Sequence, residues 1–265
     1  MKNTPNYRII KVIYGKVVFK IKKVLWTGGW DSTFRVLDLV LNKKETVLPY
    51  YVFDSGRKST DMEIETMENI RGLIADISKE AAGRIMKSEM INKSGIPQNE
   101  EITTAFKTLA NQSHLGGQYD WLARYCEHNS VSNLELCVHL DDTVEGFIKK
   151  DVRLVEKGND HYYELIDDPS QQELNIFSYY NYPLLNMTKL DMEAQAKDKG
   201  FSHIMEETWF CHSPYKGKPC GMCNPCKYTR DEGLGRRVPT PSFTMRLNRK
   251  LNGKLNGLKK RLGVK

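Results

Sequence analysis

An apolar strand, a two-glycine turn and an apolar helix follow one another near the start of the chain, and this unit constrains the fold most strongly. Residues 23–26 predict the strand, Gly28 and Gly29 form the turn, and residues 34–41 predict the helix. Such a unit presents backbone N–H groups and a helix N-terminus to an anion. The sequence therefore predicts an α/β fold with a phosphate site at this turn.

Hydroxyl groups flank the two glycines and strengthen the prediction of a phosphate site. Thr27, Ser32 and Thr33 supply hydroxyl donors, while glycine lets the backbone approach a phosphate without a Cβ in the way. No lysine follows the glycines as in the Walker motif, so the loop does not indicate γ-phosphate hydrolysis. The alternative is an ordinary strand-to-helix turn with a capping Asp31 or Ser32.

This loop resembles the SGGxDS signature of the PP-loop ATP pyrophosphatases, with Thr27 in place of the first serine. In that superfamily the loop holds the leaving pyrophosphate while an oxygen nucleophile attacks the α phosphate of ATP. The resemblance implies a parallel-sheet, Rossmann-like fold. The residues that it assigns to pyrophosphate are Thr27, Gly28, Gly29, Asp31, Ser32 and Thr33.

A second predicted strand, residues 46–53, ends at Asp54, Ser55 and Gly56. Open α/β sheets bind ligands beyond the carboxyl ends of their strands, so these three residues are expected to line an adenosine pocket beside the first loop. The segment is similar to the FDYGQ stretch at this place in the 7-cyano-7-deazaguanine synthases.

A further predicted strand, residues 134–138, leads into an H-x-D-D-x-x-E pattern from His139 to Glu145. The pattern resembles a segment of tRNA-modifying PP-loop enzymes, including tRNA(Ile)-lysidine synthetase. Adjacent carboxylates beside a nucleotide suit Mg²⁺, and His139 and Asp142 are the predicted nucleotide-side residues. The alternative is a solvated acidic loop with His139 hydrogen-bonded to its own turn.

Four of the six cysteines cluster near the carboxyl terminus in a loop rich in glycine and proline. Four thiolates this close together fit a closed tetrahedral Zn²⁺ site with a structural role. Disulfides, an iron–sulfur cluster and His212 as a substitute ligand are the alternatives. Cys126 and Cys137 lie in predicted apolar elements and are expected to be buried, inert thiols. The predicted metal ligands are Cys211, Cys220, Cys223 and Cys226.

The same cysteine segment resembles the zinc signature of the 7-cyano-7-deazaguanine synthases, and residues 182–189 resemble that family's proline-leucine and lysine segment. The resemblance implies an enzyme that uses ATP and ammonia to convert 7-carboxy-7-deazaguanine to a nitrile through an adenylate and an amide. Lys189 would then meet a phosphate or the substrate carboxylate, although a surface lysine at a helix start is the plain alternative. The predicted catalytic residues are Asp31, Ser32 and Lys189.

The departures from that family fall on the substrate side. No tyrosine-proline-aspartate-cysteine-arginine stretch follows Val138, where the family has one. The ATP chemistry is therefore better supported than the deazaguanine substrate, and another carboxylate or a tRNA is the alternative. A zinc-containing nucleic-acid-binding module with a degenerate ATP site is the alternative from another class.

The chain divides into a predicted hairpin extension (1–22), a PP-loop domain (23–208), a zinc subsite (209–235) and a basic tail (236–265). The hairpin is expected to extend the sheet or to pair with a partner chain, as in a homodimer. Within the domain, helices are predicted at 59–82, 101–112 and 118–128, a third strand within 84–91, and a hairpin outside the sheet at 152–166.

Charge is concentrated in the tail, which holds ten Lys or Arg and no Asp or Glu. Removing those ten from the 40 basic residues leaves 30 against 33 acidic ones, so the rest of the chain carries about −3. The tail is expected to bind nucleic acid, an acidic partner or a membrane surface, or else to dock its leucines on the protein. No apolar run is long enough to cross a bilayer and nothing resembles a signal peptide, which predicts a cytoplasmic protein.

Overall fold

A computed structural model describes residues 21–140 and 142–241, together with Arg246. Within these residues seven strands form one sheet in the order β3-β2-β1-β4-β7-β6-β5. The first five strands in this order run parallel, and β6 pairs antiparallel with both β7 and β5. The strands are β1 (Ile21–Leu25), β2 (Thr46–Phe53), β3 (Glu89–Asn92), β4 (Leu134–Glu135), β5 (Val152–Lys157), β6 (Asp160–Leu165) and β7 (Tyr180–Tyr182).

Helices cover both faces of the sheet, so the predicted α/β class is confirmed. The successive side chains of a strand point to opposite faces, and on β2 the buried Tyr50 and Tyr51 accordingly enter different cores. The helices are α1 (Trp30–Leu37), α2 (Thr60–Ile77), α3 (Lys79–Gly83), α4 (Glu100–Gln112), α5 (Gln118–His128), α6 (Thr143–Ile148), α7 (Lys189–Asp198), α8 (Ser202–Glu206) and α9 (Asn224–Thr229).

The hairpin β5–β6 was predicted to lie outside the sheet, and this was wrong. β6 pairs with β7 at Tyr163 and Tyr182, so the hairpin extends the sheet at one edge. The sequence did not reveal β7, because three buried residues are too few for a clear period. The hairpin therefore joins the sheet through a strand that the sequence analysis missed.

Several element boundaries differ from the predictions. The predicted helix 59–82 is interrupted at Ser78, whose backbone is extended and whose hydroxyl accepts the Ala81 N–H, thereby capping α3. α1 begins at Trp30, so the loop runs directly into the helix. β4 is shorter than predicted and β3 begins only at Glu89.

Buried charges hold the hairpin against α1. The Arg35 guanidinium donates to Glu135 (Nε–Oε2 2.7 Å) and to Asp160 (Nη2–Oδ2 2.8 Å). Lys22 pairs with Asp160 as well. Burial raises the pKa of Asp160, but Arg35 and Lys22 outweigh it and hold that pKa well below its usual range. This network ties β1, β4, α1 and the hairpin together at the end of the sheet opposite the glycine turn.

Residues 1–20 of the predicted hairpin extension and the predicted tail beyond residue 241, Arg246 excepted, lie outside the described residues, while Ile21 and Lys22 belong to β1. Within the described part of the chain, no helix has both the length and the apolar character that a membrane span needs.

Candidate nucleotide site and four-cysteine centre

The two-glycine turn lies at the carboxyl end of β1 and leads straight into α1. Gly28 has φ of +70°, and a Cβ there would lie 3.1 Å from Thr66 Cγ2 and 3.2 Å from the Glu63 carbonyl oxygen. Both the backbone conformation and the close approach of α2 therefore require glycine. Gly29 is extended and immediately precedes α1. The turn thus points the N-terminus of α1 at the space beyond the sheet.

The three hydroxyls of the loop have different surroundings. Ser32 Oγ donates to the Gly29 carbonyl oxygen at 3.4 Å, and Thr27 and Ser32 both line the cleft beyond the sheet. Thr33 is fully buried, and its hydroxyl accepts the Trp26 indole N–H at 3.0 Å. The side chain of Thr33 therefore holds the loop on the core and does not face a ligand, unlike those of Thr27 and Ser32.

Lys189 reaches the loop from the first residue of α7. Its Nζ lies 3.4 Å from Asp31 Oδ2 and 3.0 Å from Glu232 Oε2. Thr188 and Asp191 form a capping box that determines where α7 begins. Burial lowers the pKa of Lys189, but Asp31 and Glu232 outweigh it and raise that pKa, so the ammonium is charged at neutral pH.

The Asp31 carboxylate uses one of its two oxygens in a contact with Lys189. Its Oδ1 is buried and has no hydrogen-bond partner among the described residues. A buried acceptor without a partner is costly, and a bound ligand would satisfy it. The predicted catalytic residues Asp31, Ser32 and Lys189 are thus brought together, since Ser32 lies in the same first turn of α1 as Asp31.

Asp54, Ser55 and Gly56 form a turn at the carboxyl end of β2. Asp54 Oδ1 accepts the Gly56 N–H at 2.9 Å, and Asp54 Oδ2 lies 2.8 Å from Lys93 Nζ. Asp54 lines the cleft, whereas Ser55 and Gly56 are exposed at the tip of the turn. Lys93 was not predicted as a site residue. It directly follows β3, and the sequence does not show that β3 lies next to β2.

His139 and Asp142 take different positions. His139 is buried; its Nδ1 lies 2.7 Å from the Leu140 carbonyl oxygen and its Nε2 lies 3.6 Å from Glu232 Oε1. The hydrogen bond of His139 to its own turn, left open by the sequence, is therefore present. Asp142 caps α6 by accepting the Val144 N–H at 2.9 Å, and it lines the cleft beside Asp31. Asp141 lies outside the described residues.

The cleft consists of two adjacent depressions beyond the carboxyl ends of β1 and β2. The larger has a volume of about 560 Å³ and the smaller about 160 Å³. Leu25, Thr27 and Gln118 line both of them. Aromatic and charged side chains that the sequence did not assign to a site also line the larger one: Arg57, Glu63, Lys93, Trp121, Trp209, Phe210 and His212.

A buried carboxylate organises one wall of the larger depression. Glu63 accepts from Tyr51 Oη (2.9 Å) and Ser59 Oγ (2.8 Å), and it pairs with Arg57. Burial and the Arg57 charge lower the pKa of the neighbouring His212, so its imidazole is neutral at pH 7. This wall therefore offers a neutral imidazole and a paired guanidinium to a ligand.

The four predicted cysteine ligands converge at one point. Their sulfur atoms all lie within 4.8 Å of one another, and His212 is not among them. The Sγ–Sγ separations include 3.8 Å (Cys211–Cys223), 3.9 Å (Cys220–Cys226) and 3.4 Å (Cys223–Cys226). This group can hold a metal ion. Cys126 is buried in α5, whereas Cys137 lines the smaller depression.

Backbone N–H groups favour the thiolate form of Cys220, whereas burial keeps the pKa values of Cys211 and Cys226 raised. The Cys220 N–H donates to Cys211 Sγ at 3.2 Å, and the Cys223 N–H donates to Cys220 Sγ at 3.3 Å. Burial raises the pKa of Cys220, but the N–H groups of Met222 and Cys223 outweigh it and lower that pKa to about 7. Such donors suit a site that binds metal through thiolate.

Two arginines that the sequence assigned to the tail belong to the folded body. The Arg237 guanidinium lies 4.9 Å from the Trp30 ring centroid and 5.3 Å from that of Phe210. Burial lowers the pKa of Arg237 to about 10. Arg236 pairs with Glu193 at 2.8 Å and also with Glu206. The body therefore extends past residue 235.

One comparison with known proteins agrees with the resemblance inferred from the motifs. The family model described as queuosine biosynthesis protein QueC matches residues 124–237, which supports the predicted likeness of this part of the chain to that family. A solved structure, the U34-tRNA thiolase NcsA from Methanococcus maripaludis with its [4Fe-4S] cluster, is similar at 14% identity and a TM-score of 0.39. That match covers 85% of this chain and 70% of the thiolase. No curated protein matches the sequence significantly.

Proposed function

We propose that this QueC-like chain is an AMP-forming synthase that uses ATP to activate a carboxylate for attack by ammonia. The observation that carries the proposal is the Lys189 ammonium, held 3.4 Å from Asp31 at the glycine turn. A charged, mostly buried lysine beside the backbone N–H groups of a helix N-terminus is what a leaving pyrophosphate needs. The match of the QueC model to the segment that contains Lys189 supports the same assignment.

The proposed mechanism begins with the placement of ATP along the cleft. Thr27, Ser32 and the N–H groups of the Gly28–Gly29 turn hold the β and γ phosphates, with Lys189 beside them. Adenosine occupies the larger depression near Asp54, where Trp209 and Phe210 supply ring faces for stacking. Asp142 lines the cleft with an oxygen ligand suited to Mg²⁺, which would neutralise phosphate charge there.

The chemistry then needs positioning and charge stabilisation more than a protein nucleophile. A carboxylate oxygen of the substrate attacks the α phosphorus, the bond to the bridging oxygen breaks, and pyrophosphate leaves toward Lys189. Ammonia attacks the acyl carbon, loses a proton, and AMP departs to leave the amide. A second ATP would activate the amide oxygen in the same way, and loss of a proton and AMP gives the nitrile.

For the four-cysteine centre we propose Zn²⁺ in a structural role. A tetrahedral ion with Zn–S bonds of about 2.3 Å places its sulfur atoms about 3.8 Å apart. The separations of 3.8 and 3.9 Å match that spacing, the third is shorter at 3.4 Å, and all four sulfur atoms lie within 4.8 Å of one another. A cubane iron–sulfur cluster carries its cysteines on the outer corners and needs wider spacing. Four thiolates leave no open position, so zinc here stabilises the fold and takes no step in the reaction.

Incubation with Mg-ATP, ammonium and 7-carboxy-7-deazaguanine tests the proposal. AMP, pyrophosphate and an amide or nitrile of the base, measured by mass spectrometry, are the expected products. Asp31→Ala is expected to abolish them. Asp61→Ala, an exposed aspartate in the first turn of α2, is the matched control and should leave them unchanged. Absence of ATP turnover from the folded, metal-loaded protein would contradict the proposal and favour a nucleic-acid-binding module.

A second candidate is the same adenylation directed at a different carboxylate or at a tRNA. The segment after Val138 favours this candidate, because it differs from the deazapurine-binding stretch of the family. In this segment His139 contacts Glu232, and Asp142 lines the cleft. AMP formation that is indifferent to the base but stimulated by tRNA would support this candidate. The cytoplasmic location, the homodimer and the ligand of the tail stay predictions of the sequence.

A further inference from the structure

Glu232 is a partly buried carboxylate, 28% exposed, to which the sequence assigned no role. Its Oε2 lies 3.0 Å from Lys189 Nζ, and Asp31 Oδ2 lies 3.4 Å from the same ammonium. Its Oε1 lies 3.6 Å from His139 Nε2. Lys189 is therefore held between one carboxylate of the phosphate loop and one carboxylate that follows the cysteine segment.

The position of Glu232 depends on the cysteine centre. Glu232 lies in the turn of residues 230–234, directly after α9, which contains Cys226. Gly233 has φ of +87°, and a Cβ there would lie 2.9 Å from a Leu190 methyl carbon. The turn therefore packs against the residue next to Lys189, and its positive φ at Gly233 favours glycine. α9 starts at the cysteine site and ends at this turn, so one short helix joins the four cysteines to Glu232.

We infer that Glu232 is a positioning residue that holds the Lys189 ammonium at the phosphate loop and thereby connects the four-cysteine centre to the nucleotide site. A lysine side chain has four rotatable bonds, and ordering it only when a phosphate arrives would cost binding energy. The carboxylates of Asp31 and Glu232 order the Lys189 side chain before a phosphate binds. They also stabilise the charged ammonium, which burial alone would destabilise. The role given to Lys189 rests on the proposed function, whereas its contact with Glu232 does not.

Competitive labelling of lysines with a trace of acetic anhydride tests this contact in the full-length, metal-loaded protein without ATP. Acetylation at each lysine is measured by mass spectrometry. Glu232→Gln is expected to raise labelling of Lys189 several-fold, because the amine loses a partner and becomes more mobile. Asp231→Asn removes the same charge from the exposed neighbouring position and should leave Lys189 unchanged. Equal labelling of Lys189 in the wild type and in Glu232→Gln would overturn the inference.

Lys22 serves as an internal standard, because it is buried and paired with Glu135 and Asp160 at the other end of the sheet. A parallel rise at Lys22 in Glu232→Gln would show loss of folding. In that case Glu232→Asp tests the contact instead, because its side chain is one methylene shorter and keeps the negative charge. Labelling that rises at Lys189 but not at Lys22 supports the inference, and unchanged labelling at both contradicts it.

Removal of the metal tests the connection to the cysteine centre. Chelation is expected to raise Lys189 labelling in the wild type but to add little in Glu232→Gln, because both changes act through one contact. Additive increases would overturn the connection. In the AMP-forming assay, Glu232→Gln should lower kcat more than it raises the KM for Mg-ATP. If the wild type forms no AMP, the proposed function fails, while the labelling still decides the role of Glu232.

Discussion

The backbone N–H of Trp209 donates a hydrogen bond of 2.9 Å to the carbonyl oxygen of Gly28. Gly28 belongs to the glycine turn after β1, and Trp209 leads into the cysteine segment at Cys211. The two strongest motifs of the sequence, which lie far apart along the chain, are therefore joined directly by their backbones. Lys189 and Glu232 make the second connection between them.

Loss of the Lys189 ammonium should slow the chemistry. Lys189→Met is expected to lower kcat for AMP formation about 10²-fold or more, because leaving-group charge would lose its only described lysine contact at the loop. Lys197→Met, an exposed lysine in the same helix, is the control. Steady-state kinetics with Mg-ATP measure the effect, and equal kcat in the two variants would contradict it.

Gly28 should not tolerate a side chain. Gly28→Ala is expected to destabilise the protein by about 1–2 kcal/mol, because its φ is positive and a Cβ would meet α2. Gly72 lies in the middle of α2, and a Cβ added there would have no atom within 4 Å, so Gly72→Ala should stabilise by about 0.5–1 kcal/mol. Urea unfolding distinguishes the two, and effects of the same sign would refute the argument.

Metal removal should destabilise the carboxyl-terminal part of the body. We expect one zinc ion per chain by elemental analysis, its loss in Cys226→Ala, and a lower thermal midpoint in that variant. Cys126→Ala removes a buried thiol from α5, so it should lose stability but keep its zinc. Iron and sulfide in the purified protein would instead identify a cluster.

Acid should weaken the buried charge network around Asp160. The pKa of Asp160 is lower in the folded state than the value of about 3.9 in an unfolded chain, so its contribution is present above that value and is lost as pH falls. Asp160→Asn is expected to cost about 3 kcal/mol near pH 7, because Arg35 and Lys22 lose a buried partner.

The difference in the free energy of unfolding between Asp160→Asn and the wild type should shrink as pH falls from 7 to 3, because Asp160 then begins to bind a proton in the unfolded chain while the folded carboxylate stays ionised. Asp198→Asn, an exposed change at the end of α7, is the control. A difference between Asp160→Asn and the wild type that stays constant with pH would show that the lost stability does not depend on the carboxylate charge.

Replacement of Arg237 by lysine should destabilise the protein. Its planar guanidinium contacts the Trp30 and Phe210 rings and donates to Thr208 Oγ1 at 2.8 Å. Arg237→Lys is expected to lose about 1–2 kcal/mol, because an ammonium cannot reproduce this stacked geometry. Arg246→Lys, at an exposed residue, should be neutral. Thermal unfolding compares them, and an unchanged midpoint in Arg237→Lys would contradict the stacking.

The interior helices were predicted well because their signals are local. α4 and α5 were expected at 101–112 and 118–128 and begin within one residue of those bounds, since the apolar spacing of a helix is visible in the chain. β7 and the attachment of the hairpin were missed, because the pairing of Tyr163 with Tyr182 is a long-range contact without a sequence period.

The sequence by itself determined the chemistry that is available: the glycine turn with Asp31 and Ser32, the lysine at the start of α7 and the four cysteine ligands. Those signals depend on residue type and short spacing, which local backbone geometry preserves. The tertiary structure alone decided which groups meet. It turned Thr33 into the core, placed Arg57, Lys93 and His212 at the cleft, and set Glu232 against Lys189. Such contacts result from packing between segments that are far apart in the sequence, and a local sequence pattern cannot predict them.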